Sequence, residues 1–365
     1  LFEFEGRALI ANSCRLTSDL NIYRAGTTNI LVTDDVKIDP KIGAHSFIQS
    51  IVTQFQASGQ GIIENLIEYP RFVKQEADTS KSLNDMLNSD MVCELRCPDD
   101  TISRKVILPR VPRNYGGEGL VDNNCPINNV IPESKTDVDF SIKPRISINK
   151  VVGSNLRISY QQSGAIKLTF LLERNQSALY GNSLVSPNTF SYALSNMKMT
   201  FMTIPDILQP QPVAMRTTLC MKNHMGSAVN NMSSKVPAVC DSMNISYMPR
   251  ANENNGLQNN VQLYVPPGLS NIQYMFNDSF NKYVSYEIKD RVEMVYRGLD
   301  AMPNTDGNND STIEHMSSNK AFVTGLNWGS AIDLSSQKFN VNTKTNILNG
   351  APYIQFMYFH SFVTI

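Results

Sequence analysis

The sequence predicts an all-β chain: two sandwiches in tandem, with short helical inserts. Three observations carry this. Apolar–polar alternation of period two recurs from end to end, which places one set of side chains on each face of a strand. Loops rich in Asn, Ser and Gly separate the alternating stretches. A polar crossing at 175–188 lies almost midway along the 365 residues, a length too great for one ordinary sandwich and comfortable for two. Regular short strands with polar loops between them indicate sandwiches of the jelly-roll or Greek-key kind.

The pattern is clearest at 139–203. Ile142, Pro144, Ile146 and Ile148 alternate with Lys143, Arg145 and Ser147. Leu156, Ile158 and Tyr160 repeat the period, and Ile166, Leu168, Phe170 and Leu172 repeat it again. Beyond the crossing, Leu194 and then Met197, Met199 and Phe201 alternate against Asn196, Lys198 and Thr200. That stretch is the expected opening of the second unit, so the units are expected at 1–181 and 182–365. The methionines at such positions are expected to be core packing.

Taken in order, 1–23 is extended chain entering a strand, with Cys14, Leu16, Leu20 and Ile22 inward. Residues 27–38 continue in β style. Residues 43–55 fit a strand or a helix by spacing, and their β-branched content and glycine borders favour strand. Residues 62–88 form the best helical stretch of the first half: Leu66, Tyr69, Phe72 and Val73 share a face, and Pro70 belongs in the first turn or breaks the helix. It is expected to be an amphipathic insert on a sheet edge. Residues 91–95 and 105–108 are short strands, and 109–129 is a loop.

In the second half, 215–221 is a strand and 223–235 a polar loop. Alternation predicts strands at 239–247, 261–265 and 286–296. Residues 251–260 are an exposed loop, 274–284 a short helix or irregular segment, and 304–318 a long polar loop. Strands follow at 325–334, 338–347 and 352–365. The last, PYIQFMYFHSFVTI, is apolar throughout, so it is expected inside a sheet or paired in an assembly rather than at an open edge.

Hydrophobic residues make up 41% of the chain, enough for packed cores, whereas charged residues make up only 18%, below the roughly one quarter usual for globular proteins. Amide and hydroxyl side chains must therefore carry the polar surface. The net charge of −1 gives no bulk attraction to nucleic acid or anionic membrane. No apolar run approaches the ~18 residues of a spanning helix. The chain begins at Leu1 without a methionine or a signal-peptide pattern, which leaves open a longer polypeptide.

Searches for chemistry return little. The cysteines Cys14, Cys93, Cys97, Cys125, Cys220 and Cys240 form no CxxC pair, and no histidine follows Cys93 and Cys97 at finger spacing. They are expected to be mostly reduced, buried thiols. Sequons begin at Asn175, Asn231, Asn244, Asn277 and Asn309, as chance provides in a chain this rich in Asn and Ser. His45, His224, His315 and His360 are scattered and are expected to be structural or exposed. Gly116, Gly117 and Gly119 lack the lysine of a phosphate loop, and no GxSxG elbow occurs. Asp34-Asp35 and Asp99-Asp100 suit solvated turns better than calcium. No catalytic, cofactor-binding or metal-ligating residue is assigned, and no cofactor is expected.

Several stretches resemble the double jelly-roll major capsid proteins, the lineage of adenovirus hexon, tailless lipid-containing phages, virophages, polintons and large DNA viruses. IGAHSFIQSIVTQF and ENLIEYPRFVK resemble a strand and helix of the first roll, and PRISINKVVGSNLRISYQQSGAIKLTFLLERNQSALYG its end. FSYALSNMKMTFMTIPD resembles the opening of the second roll, and TGLNWGSAIDLSSQKFNVNT and PYIQFMYFHSFVTI its last strands. The resemblance implies two tandem eight-stranded jelly rolls and a non-enzymatic subunit. It implies a homotrimer of pseudo-hexameric outline that tiles an icosahedral shell, assembled in the host cell and located in the virion. The partners implied are the chain itself, neighbouring capsomers, and penton or minor capsid proteins. Sequence-specific nucleic-acid binding is not implied, and contact with an internal membrane is left open. Loops 251–260 and 304–318 would be exterior or inter-subunit, and the helix near 65–74 would sit at the base or edge of the first roll. Low charge and abundant amide and hydroxyl groups suit large lateral contacts of the permanent class, ~2,000 Å² or more. Two other readings stay open. One is a double jelly-roll glycan amidase with acidic residues in the groove between rolls. The other is a carbohydrate-binding sandwich protein in which Trp328 stacks on sugar rather than packing in the core.

Overall fold

The computed structural model describes residues 3–24, 36–39, 41–57, 61–79, 93–96, 138–181, 190–206, 209–226, 228–235, 239–277, 282–302, 321–332, 340–347 and 352–365. Alternation in the first part of the chain forms β1 (Arg7–Ile10), β2 (Arg15–Arg24), β3 (Ile48–Phe55), β4 (Ile62–Leu66), β5 (Val138–Ile142), β6 (Val151–Val152), β7 (Arg157–Ser159), β8 (Ile166–Leu172), β9 (Phe190–Thr200) and β10 (Thr203–Pro205). The second part forms β11 (Ala214–Met225), β12 (Val229–Lys235), β13 (Cys240–Pro249), β14 (Leu269–Asn277), β15 (Lys282–Ile288), β16 (Thr324–Ile332), β17 (Asn340–Ile347) and β18 (Tyr353–Thr364).

The second part is a complete jelly roll. Its sheets run β16-β13-β18-β11, extended by the short β6, and β12-β17-β14-β15. The chain passes repeatedly from one sheet to the other, as two interleaved Greek keys require. The first part repeats this order. Sheet β5-β2-β9 corresponds to β16-β13-β18, and sheet β4-β3-β8 to β15-β14-β17. In both rolls an 11-residue helix begins on the third residue after the corresponding strand ends: α1 (Tyr69–Thr79) after Leu66, and α2 (Arg291–Ala301) after Ile288. Among the described residues the positions of β11 and β12 have no counterpart in the first roll, so β9 and β8 are sheet edges there. Their side chains show it: Leu171, Leu172 and Met197 are exposed, whereas β18 is buried over its first nine residues.

Two apolar clusters fill the molecule. One runs from the interior of the first roll, through Phe72 and Val73 of α1, to Ile354, Phe356 and Tyr358 on one face of β18. The other fills the second roll and takes Tyr353, Met357 and Phe359 from the opposite face of β18. The C-terminal strand is apolar throughout because it is covered on both faces. It also lies between β13 and β11, inside a sheet as its composition predicts.

Several sequence expectations are corrected. Residues 192–203 do not open the second unit: β9 pairs with β2 from Arg15↔Thr200 to Arg24↔Phe190 and so closes a sheet of the first roll. Residues 62–66 are strand rather than helix, and the helix starts at Tyr69 with Pro70 in its first turn. Residues 43–47 form a 3-10 turn before β3, and 147–149 form another where a strand is expected. The polar stretch 223–235 contains β12, whose inter-strand pairing with β17 outweighs its low apolar content. Within 274–284, the described residues 274–277 and 282–284 belong to β14 and β15, which pair antiparallel. The alternation at 286–296 crosses a boundary, with strand to Ile288 and helix from Arg291, capped by the Asp290 carboxylate. Residues 261–265 make only an isolated bridge, Leu263 to Ala321. In 91–95, the described Cys93–Leu95 are helical and turn residues. Met197 is exposed rather than core. The expectations for 105–129, 182–188, 304–318, Asp34-Asp35, Asp99-Asp100, Cys97, Cys125 and His315 lie outside the described residues.

Candidate functional site

The polar chemistry of the described residues concentrates at the seam where α1 meets the outward face of the β16-β13-β18-β11 sheet. Every residue of α1 is buried, so it is not the edge insert that its amphipathic pattern predicts, nor a helix at the base or edge of the roll. The second roll covers the face that the first does not. The Arg71 guanidinium donates to the Gln262 carbonyl (3.2 Å), the Asn260 carbonyl and the Met248 sulfur, and lies 4.2 Å from the Phe356 ring centroid. Phe72 packs against Tyr358 and His360 with centroids 5.7 and 6.1 Å away. The end of loop 251–260 is therefore buried at Asn260 rather than wholly exposed.

A hydrogen-bond relay crosses this seam. Gln75 Nε2 donates to Ser246 Oγ at 2.6 Å, and Asn244 Nδ2 donates to Gln75 Oε1. Asn244 Oδ1 lies 2.6 Å from His360 Nε2, and His360 Nδ1 lies 3.5 Å from the Thr218 hydroxyl. Lys150 Nζ donates to Thr218 Oγ1 (3.2 Å) and to Glu64 (2.9 Å), whose carboxylate also accepts from the backbone N–H groups of Thr218 and Ser147. Burial, and secondarily the charges of Arg216 and Lys150, holds the His360 imidazole neutral. Such buried networks stabilise only when every member is satisfied. Asn244 is fully buried in this one, so its sequon is not accessible.

Ionic groups brace the rest. Lys222 of β11 reaches Glu68 at 3.0 Å and Glu253 at 2.7 Å. Lys41 pairs with Asp78 at 2.7 Å, and Lys74 lies 3.5 Å from both Asp39 and Asp78. Tyr69 accepts from the Arg145 N–H and contacts His45 Nδ1 at 2.7 Å. Burial lowers the His45 pKa to about 4, against the opposing pull of Glu94. A cavity of about 140 Å³ remains beside Lys222, lined by Glu68, Arg71, Glu173 and Glu253. An open groove of about 440 Å³ lies on the outward face of β5-β2-β9, lined by Asp19, Asp139, Asn196, Lys198 and Cys93.

Cys14, Cys220 and Cys240 are buried thiols, and Cys93 is exposed. Trp328 packs against the second core and donates to the Cys240 carbonyl at 2.7 Å, so it is an anchor rather than a free stacking surface. His45 and His360 are structural and His224 is exposed. Among the described residues no group of three His, Cys, Asp or Glu side chains could hold a metal ion, and no helix is long and apolar enough to cross a membrane. Sequence reasoning did not find the seam residues Arg71, Gln75, Asn244 and His360. The one signal was polar side chains recurring inside strongly apolar strands.

No family model matches this sequence, and no curated protein does. Solved structures do match. A chain of the Sputnik virophage, solved by cryo-electron microscopy, aligns over 99% of this chain and 82% of its own, with TM-score 0.55 and 10% identity. The Faustovirus major capsid protein aligns over 100% and 86%, with TM-score 0.55 and 7% identity. The mavirus major capsid protein aligns over 99% and 82%, with TM-score 0.48 and 9% identity. With its own strand order, the first two alignments support a double jelly-roll fold for this chain.

Proposed function

We propose that this chain is a virus major capsid protein that trimerises into pseudo-hexameric capsomers and tiles an icosahedral shell in the virion. The observation that carries this reading is the end-to-end match of both rolls to capsid structures, without a large unmatched portion to house another activity. The seam supports it. Two rolls locked by a buried helix, a hydrogen-bond relay and ion pairs make one stiff block, which is what lateral tiling requires.

The division between rolls falls between β10 and β11, replacing a division at residue 181. The partners are other copies of the chain, neighbouring capsomers, and penton or minor capsid proteins. Loop 251–260 is assigned to an exterior or inter-subunit position up to its buried end at Asn260. The carboxylates beside the seam cavity serve structure, since Lys222 holds Glu68 and Glu253. Sedimentation velocity and negative-stain imaging of the expressed protein test the reading. Trimers of hexagonal outline are expected, and a monomer at micromolar concentration would overturn it.

A further inference from the structure

Both rolls wall the seam cavity. Glu68, Arg71, Glu173 and Arg174 line it from the first roll, and Lys222 and Glu253 from the second. Glu173 follows directly on β8, and its backbone is fixed there. Its N–H donates to the Phe47 carbonyl at 2.9 Å, and its own carbonyl accepts from the Tyr192 hydroxyl. The backbone therefore cannot carry the carboxyl out of the cavity.

The charges around that carboxyl balance without it. Arg71 of α1 and Lys222 of β11 are the inner cations, and Glu68 and Glu253 the inner carboxylates. Lys222 is shared, 3.0 Å from Glu68 across the seam and 2.7 Å from Glu253 in its own roll. Arg71 is committed to the Gln262 and Asn260 carbonyls. Arg174 gives Glu173 its backbone N–H at 2.9 Å, and its side chain is exposed, where water and salt screen it. Neutral Glu173 leaves the inner set at zero net charge. Ionised, it adds a third carboxylate to one shared ammonium, beside Glu68 on its own roll and with Glu253 on the other wall. A half-buried charge without a cation of its own is unfavourable, and water relieves it by entering as the rolls part.

We propose that Glu173 is a proton latch on the seam: protonated, it lets the rolls close on each other, and ionised, it opens the cavity to water and loosens α1 from the second roll. The device belongs to the single chain and stands apart from trimer formation. On the capsid reading it makes the stiffness of each tile depend on proton activity. Burial, opposed by the Arg174 N–H and assisted by the charge of Glu68, raises the carboxyl to about 7 in the closed seam, against an ordinary value of 4.5. Opening releases a proton between those values. Closure is therefore complete below 4.5 and fades as pH rises through about 7.

Hydrogen exchange of the intact protein tests this, read by mass spectrometry on peptides covering 69–79 and corrected for the intrinsic rate at each pH. Every residue of that helix is buried, so its amides report opening of the seam. Exchange of α1 is expected to rise by up to about tenfold per pH unit between 4.5 and 7 and to level off above. β14, in the far sheet of the second roll, should not follow. Glu173→Gln should keep the low-pH protection at every pH. Lys222→Met, which removes the shared ammonium, should move the plateau to higher pH. A wild-type α1 rate that is flat with pH overturns the latch. So does a rise that persists in Glu173→Gln, that β14 shares, or whose plateau Lys222→Met leaves in place. Sedimentation of the same samples reads the trimer separately.

Discussion

His360 Nε2 and the Asn244 side-chain oxygen lie 2.6 Å apart in the middle of an apolar strand pair. Because that oxygen only accepts, His360 carries its proton on Nε2, and Nδ1 accepts from Thr218. Asn244 then gives its amide to Gln75 of α1, so one side chain fixes both the histidine and the helix. Asn244→Ala strands the His360 donor and the Gln75 acceptor, at about 1–3 kcal/mol for each buried group. Urea denaturation should show a lowered midpoint. An unchanged midpoint would mean that water replaces the amide and the relay is not closed.

Phe72 is the apolar counterpart of that polar contact. It is fully buried against Tyr358 and His360, and the Lys150 ammonium lies 5.1 Å from its ring centroid. Phe72→Ala should cost about 3–5 kcal/mol, read as an early unfolding step in which the two rolls separate. Phe72→Leu should recover most of that loss. Equal behaviour of the two variants would show that the seam does not depend on the volume of this ring.

Glu173 predicts a pH dependence. Burial pushes its carboxyl up to about 7, assisted by the charge of Glu68 and opposed by the Arg174 N–H and Lys222. The folded state therefore prefers the neutral acid. The stability this provides is complete below the ordinary value of 4.5 and is lost as pH rises through about 7. The difference in melting temperature between wild type and Glu173→Gln should grow across that window in favour of the variant. A difference that stays flat from pH 4.5 to 8 would show that Glu173 is solvated in the folded protein.

Much of this architecture was legible in the sequence, and the misses have physical causes. Period-two alternation located β8, because each residue of an isolated alternating run reports one face, whereas β18 was legible from its unbroken apolar run. The same signal failed at 286–296, where Ile288 ends a strand and Met294 belongs to a helix, since a short run fits both periods. β12 was missed because its stability comes from its ladder with β17 rather than from apolar side chains. The seam was hardest to see. Gln75, Asn244 and His360 look like surface residues singly and become a buried relay only when two distant segments meet.

Gly298 gives a further prediction about how α2 is seated. A glycine inside a helix costs about 1 kcal/mol relative to alanine, so Gly298→Ala would ordinarily stabilise α2. Here a β-carbon would stand 2.3 Å from the Val323 carbonyl oxygen and 2.8 Å from Thr324 Cα, both backbone atoms that cannot swing away. Across the contact, a β-carbon on Gly325 would come 2.7 Å from Ala301 Cβ, so small residues on both sides let α2 lie close on β16. Overpacking of this kind costs about 1–3 kcal/mol, which cancels or exceeds the propensity gain. Gly298→Ala should therefore lower the urea midpoint. A variant more stable than wild type would show that α2 stands further from β16 than these distances require.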